Sequence, residues 1–270
     1  GSIAMATAAT SQTSGGNIRY VANQDVTLGH LNAGEGLVAV EAANGSIKGA
    51  GAAVPVNVTA LNAQFRAPNG GIGEAEGAGA GPIRTKLGKD QGQPTETPGN
   101  LAAHSKQNQY FIEVASGGHV NVDTVTAVTA QRVKLDSSTE AVTTAALSDL
   151  ESEDGSVKLR AENGTITVND GTVQRVPAMA GVGVKAKNDV LLEAKDADPA
   201  QGDRSDVVLN AAVTAGRHVT VLAERDVTQN ANITSGGTVD VEAVTGSIAM
   251  ATAATSQTSG GNIRYVANQD

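Results

Sequence analysis

Residues 1–25 and 246–270 of this chain are the same 25 residues, GSIAMATAATSQTSGGNIRYVANQD, matched without a gap at an offset of 245. Identity of that length does not arise by chance. It describes a tandem array with a unit of 245 residues, of which the 270 residues hold one unit and the start of the next. A chain repeated in this way is read first as a quasi-one-dimensional architecture, in which each segment packs on its neighbours along the chain. Gly1 to Met5 accordingly reads as the middle of a longer chain, and Asp270 as leading into a copy of Val26.

A shorter, imperfect period runs inside the unit. Val38–Ala42, Val157–Ala161 and Val239–Ala243 each alternate apolar and polar residues, so that Lys158, Arg160, Asp240 and Glu242 share one face and the Val, Leu and Ala residues the other. That is the pattern of a half-buried strand. A corner with Asn, Asp or Gly follows, and a second strand starts at Ile47, Ile166 or Ile248. The step between the first apolar residues of the two strands is 8 for Ile18 to Val26, Ile112 to Val120, Val182 to Val190 and Val219 to Val227. It is 9 for Val38 to Ile47, Ala63 to Ile72, Val157 to Ile166 and Val239 to Ile248. A helix has no reason to hold that spacing, whereas a coil that turns the same corner at each level does. First-strand anchors at 18, 38, 63, 112, 133, 157, 182, 219, 239 and 263 predict nine to ten coils per unit, rising on the order of 43 Å for nine or roughly 48 Å for ten at about 4.8 Å per strand.

The expected fold is therefore all-β: a right-handed parallel β-helix, or solenoid, continuous over residues 1–270, the hand following from the rule for parallel crossovers. The composition fits a narrow core. There are two Phe and no Trp, so Val, Ile, Ala and Leu must fill the interior. An antiparallel sandwich is the competing fold, and it needs no fixed step.

Residues 73–108 break the rule. Gly alternates with Ala and Glu, then Pro82, Pro94 and Pro98 follow. Proline lacks the N–H that a ladder strand donates, so the stretch reads as a projecting loop. Its charged residues Arg84, Lys86, Lys89 and Asp90 are the contact candidates. Residues 195–206 read as a smaller loop and residues 143–154 as a third excursion. Loops on a regular scaffold are where binding usually resides.

Sites for chemistry are sparse. His30, His104, His119 and His218 have no metal-ligand spacing, and the chain has no cysteine. No GxSxG and no phosphate loop occurs. Calcium candidates are Asp196, Asp198 and Asp203, with the acidic run Asp149 to Asp154 as another, but neither segment has an EF-hand pattern. No catalytic residue and no cofactor is expected. A net charge of −9 speaks against a nucleic-acid partner, and no apolar run is long enough to span a membrane.

The phrases SGGTVDVEAVTGSIAM, SGGNIRYVANQDVTLGHLNAGEGLVAVEAANGSI and AGRHVTVLAERDVTQNANITSGG carry a recurring GxVxVxAxxGxI pattern. They resemble the haemagglutinin-type repeats of filamentous-haemagglutinin-like, two-partner-secreted bacterial adhesins. The resemblance covers roughly residues 14–72, 110–135, 155–195 and 207–270. It implies a right-handed β-helical shaft, export to the cell surface, and roles in attachment, aggregation or sheath formation. The expected function is the structural shaft of a giant extracellular adhesin or filament. Its partners would be further copies of the same repeat, other filaments, a cell surface or glycans. A polysaccharide-binding or carbohydrate-active β-helix protein is the alternative.

Overall fold

The computed structural model describes residues 1–90, 96–115, 117–173, 179–197 and 205–269. Every element among them is a β-strand, and almost all pair in parallel, in a long sheet that curls nearly closed around one apolar core. The chain visits three ladders in turn.

The first ladder contains β1 (Ile3–Ala4), β4 (Val26–Leu28), β7 (Ile47–Gly49), β12 (Gln109–Glu113), β17 (Val157–Ala161), β20 (Val190–Ala194), β23 (Val219–Ala223), β26 (Val239–Ala243) and β29 (Ile263–Ala267). Ile72 bridges β7 to β12. The second contains β2 (Thr10–Gln12), β5 (His30–Asn32), β8 (Val58–Ala60) and β10 (Ile83–Lys89). It resumes through β11 (Thr97–Ser105) into β13 (Val120–Val122), β18 (Ile166–Val168), β21 (Val207–Leu209), β24 (Val227–Gln229) and β27 (Ile248–Met250). The third contains β3 (Ile18–Ala22), β6 (Leu37–Ala42), β9 (Asn62–Ala67), the later residues of β11, β16 (Leu150–Ser152), β19 (Val182–Ala186), β22 (Ala212–Ala215), β25 (Ile233–Ser235) and β28 (Ser256–Thr258). Outside the ladders, β14 (Val128–Val133) and β15 (Thr139–Thr144) form an antiparallel ribbon.

Alternation decides which side chains enter the core. Val157, Leu159, Ala161, Ile166, Val239, Val241 and Ala243 are buried. Lys158, Arg160, Asp240 and Glu242 on the same strands are half-exposed. Each buried residue stacks on its register partner in the next strand, as Val190, Val219 and Val239 do. Ile248 is only half-buried, because β27 is the last strand of its ladder. The two phenylalanines, Phe65 and Phe111, meet inside with ring centroids 5.2 Å apart.

The corners are held by polar contacts repeated from level to level. Ser46 N–H donates to Asp25 Oδ1 and Ser247 N–H to Asp226 Oδ1, both at 2.8 Å. Asn230, Asn210, Asn169 and Asp123 form a side-chain ladder, with bonds of 2.8, 3.0 and 3.1 Å. Backbones approach so closely there that a Cβ at Gly236 would overlap the carbonyl oxygen of Gly216.

Three expectations are corrected. Residues 73–108 are not one projecting loop: β10 and β11 lie within the stretch, with Ile83, Leu87, Leu101 and Ala103 in the core. The antiparallel pairing Gly88 to Pro98 and Lys89 to Thr97 marks where the chain leaves and returns. Residues 143–154 are not an excursion either, since β16 is a ladder strand; the departure comes earlier, at the β14–β15 ribbon, and Val133 is no ladder anchor. The level count also changes. Ile3 connects through Val26, Ile47, Ile72, Gln109, Val157, Val190, Val219 and Val239 to Ile263 in a single register. Ile248, the repeat of Ile3, lies one ladder beyond Val239. A 245-residue unit thus advances eight levels and one ladder, because each level carries three strands rather than the two that the sequence steps suggest.

The two copies of the 25-residue repeat consequently occupy different ladders. β1, β2 and β3 stand in the first, second and third, whereas their repeats β27, β28 and β29 stand in the second, third and first. Local geometry survives the move. Ser11 Oγ bonds the Tyr20 hydroxyl, and Ser256 Oγ bonds the Tyr265 hydroxyl.

Replacing Val241 by Asp should lower unfolding stability by several kcal/mol in a denaturant titration, since it buries an unpaired charge. Replacing Asp240 by Ser, on the half-exposed face, should cost about 1 kcal/mol or less.

Candidate functional site

The contact candidates do not converge. Arg84 and Lys86 alternate along β10 with the buried Thr85 and Leu87. Arg84 is tied at its backbone, whose N–H donates to Asn57 Oδ1 at 2.9 Å. Lys89 pairs with Glu35 at 3.1 Å, and Asp90 takes a positive φ of 51° where the chain leaves the ladder. They form an edge row rather than a pocket.

The calcium candidates fare differently from one another. Asp198 and Asp203 lie outside the described residues. Asp196 bridges to Asn163, and Ser205 Oγ donates to the Lys195 carbonyl at 2.6 Å. In the run from Asp149 to Asp154, Asp149 is buried and accepts the Gly171 N–H at 2.9 Å; burial pushes its carboxyl up to about 7. Glu153 and Asp154 instead point to Lys106, at 3.1 and 2.9 Å, and Glu153 also meets His104 at 2.9 Å. Among the described residues no three His, Cys, Asp or Glu side chains come together as a metal site would require.

The four histidines are separated, and they serve the fold. His119 Nδ1 accepts the Thr165 N–H at 2.8 Å and His218 Nδ1 the Thr238 N–H at 3.0 Å. His30 bonds Thr59 at 3.0 Å.

A cleft missed by sequence reasoning lies along the first ladder. A turn spanning residues 73–82 folds over the outward side of β12 and β17, and Glu74 fastens it by accepting the Ala80 N–H at 2.7 Å and pairing with Lys48 at 3.1 Å. The cleft beneath has a volume of about 240 Å³ and is lined by Glu76, Pro82, Tyr110, Lys158, Arg160 and Leu191. The Lys158 ammonium stands 5.7 Å from the Tyr110 ring centroid. Arg160 bridges Glu193 at 2.6 Å and Glu76 at 3.0 Å, so the turn and the ladder are joined through one guanidinium. An aromatic ring flanked by fixed charges offers stacking and hydrogen bonding to a polar chain. Its residues come from three separate strands and a turn, which left no local signature.

One buried titratable group stands out. Glu113, at the end of β12, is fully buried, and burial pushes its carboxyl up to about 8 despite hydrogen bonds from Thr85 Oγ1 at 2.8 Å and from the Leu87 and Ala115 N–H groups, both at 3.2 Å. These bonds tie β10 to β12 where the chain leaves the ladder.

Comparison of the chain with protein-family models, with curated proteins and with solved structures gives no match.

Glu113 gives the fold a pH dependence of definite sign. Its folded pKa lies above the unfolded one, so its contribution is complete below about pH 4.5 and is lost as pH rises through about 8. The unfolding free energy from denaturant titrations should fall over that window, by an amount on the order of a few kcal/mol. In Glu113→Gln the slope should flatten; an unchanged slope would assign it to other groups.

Proposed function

We propose that the chain is part of a right-handed parallel β-helix that serves as the shaft of a long extracellular filament or adhesin. The 245-residue units continue one into the next, and the turn at 73–82, the β10–β11 excursion and the β14–β15 ribbon are displayed once per unit. The observation that carries this reading is the repeated segment. In its first copy β1, β2 and β3 are covered by β4, β5 and β6. In its second copy the same residues rest on β24, β25 and β26. One sequence therefore shows both of its hydrogen-bonding edges satisfied in parallel, which is what a shaft without breaks at unit boundaries requires. The crossover rule supports the right hand. The resemblance to haemagglutinin-type repeats supports export to a bacterial surface and a role in attachment.

A second reading, recognition of a polysaccharide, is favoured by the Tyr110 cleft, where a ring and paired charges line an open groove. On that reading the shaft spaces identical sugar-binding clefts. Glycan-array binding that Tyr110→Ala abolishes, with the fold retained, would support it; binding unaffected by the change would remove the cleft from the account.

Electron microscopy of chains with one, two and four units tests the shaft. With eight levels and one ladder per unit, each added unit should lengthen an unbranched rod by about 40 Å. Beads on flexible linkers would contradict it.

A further inference from the structure

We propose that the β14–β15 ribbon is a splint between consecutive units, lying on the third ladder of its own unit and on the outward face of the first ladder of the unit before it. This rests on the tandem-shaft reading above.

The ribbon's root is buried, with Val125 and Leu147 bridged to each other and packed on Ala102. From there it runs back across the third ladder. Gln64 on β9 donates to the Thr126 carbonyl at 3.3 Å, and Arg66 to the carbonyls of Ala145 and Ala146 at 3.1 and 2.7 Å. At β3, Arg19 Nε donates to Thr144 Oγ1 at 2.8 Å, and Asn17, just before that strand, donates to the Thr129 carbonyl at 3.1 Å. The ribbon has then reached the outermost strand of the ladder, and it does not stop. No hydrogen bond or ion pair among the described residues ties residues 130–142 to the body. Val133 is 73% and Leu135 105% exposed. At about 3.3 Å per residue, Thr129 to Leu135 extends about 20 Å, or about four levels, past β3.

What lies beneath that overhang follows from the repeat. Ile18–Ala22 and Ile263–Ala267 are identical, and β29 rests on β26, then β23, then β20. A preceding unit would therefore present its first ladder, not its third, under β3. The two surfaces suit each other. Val128 and Thr144 are buried on the ribbon's stack-facing side, and Ala130, Val142 and Glu140 continue that side half-buried. Arg132 and Lys134 continue that side and share the carboxylate of Glu140, at 3.0 and 3.1 Å, while Asp136 at the tip balances the second cation. On the receiving face Asp240 and Glu242 share Arg264, both at 2.7 Å, leaving one carboxylate in excess, beside the half-exposed Leu222. The repeat arginine can serve both sides at once. As Arg19 it uses Nε for the ribbon, and as Arg264 it uses Nη1 for the carboxylates below. Because each unit ends one ladder on, successive ribbons turn by a third of a revolution about the shaft.

The chain has no cysteine, so introduced pairs can be read without background. In a two-unit chain, with Asp270 followed by residues 26–270 again, three pairs are treated with a short bis-maleimide. Glu242→Cys with Val266→Cys spans the junction stack itself. Arg132→Cys of the second unit with Leu222→Cys of the first reads the splint on the first ladder. Arg132→Cys of the second unit with Thr234→Cys of the first reads the alternative position, on the third ladder. The expected result is cross-linking of the first two pairs and not the third. Junction cross-linking with neither ribbon pair would overturn the splint and leave the shaft standing. Capture by Thr234 instead of Leu222 would overturn the one-third turn. Failure of the junction pair would remove the continuous shaft and the splint together.

Discussion

Parallel pairing between successive levels is the constraint on which the rest of this molecule depends. A parallel strand cannot pair with its sequence neighbour through a tight turn, so the chain must cross over before it returns in register. That demand explains the constant step from strand to corner to strand. It explains the corners, where Asp25 and Asp226 accept N–H groups from the next level and asparagines bond down a column. It also explains the core. An interior one strand-face wide admits Val, Ile, Leu and Ala in stacked rows, and the only Phe pair sits at Phe65 and Phe111, close to where the circuit is interrupted.

The strand faces were legible in the sequence because alternation is a strong signal. Val239, Val241 and Ala243 turn inward, and Asp240 and Glu242 outward, as read. The number of strands per level was not legible. The steps of 8 and 9 residues join the third ladder to the first at Ile18, Val38, Ala63 and Val182, and the first to the second at Ile112, Val157, Val219 and Val239, so anchors from different ladders looked equivalent. The remaining strands, such as Thr10–Gln12, His30–Asn32 and Ile233–Ser235, are three residues long and rich in polar side chains, too short for a period to register. Proline misled in one place. Pro98 lies at the start of β11, in the antiparallel arm opposite Gly88, where losing one N–H does not cost the parallel ladder a bond. The ribbon carried a usable sign that went unread: two alternating runs around Asp136-Ser137-Ser138, with Ser137 at a positive φ of 66°.

The same constraint couples the scaffold to what it displays. A unit that closed after a whole number of levels would repeat every turn and ribbon on one side. This unit closes one ladder late, so identical residues meet the same neighbours from a different face, and the Ser–Tyr contact at the corner is preserved across the change. On the proposed tandem shaft, display in several directions would then need no sequence divergence between units. The Tyr110 cleft and the buried Glu113 both lie where β10 and β12 meet, so the departure of the chain from its ladder, the surface groove and the pH-sensitive carboxyl share one region of the fold.

The central claim is that the backbone ladder runs through the unit boundary without a break. Hydrogen exchange on β29 tests it directly. Val239 N–H donates to the Asn262 carbonyl of the strand above it, and the corresponding amides of Ile263 and Tyr265 face the position the next level would occupy. In a chain extended beyond Asp270 by residues 26–72, those amides should gain the protection of their counterparts Ile18 and Tyr20, which lie under β6. Amides at Ile263 and Tyr265 that exchange equally fast with and without the extension would contradict the account.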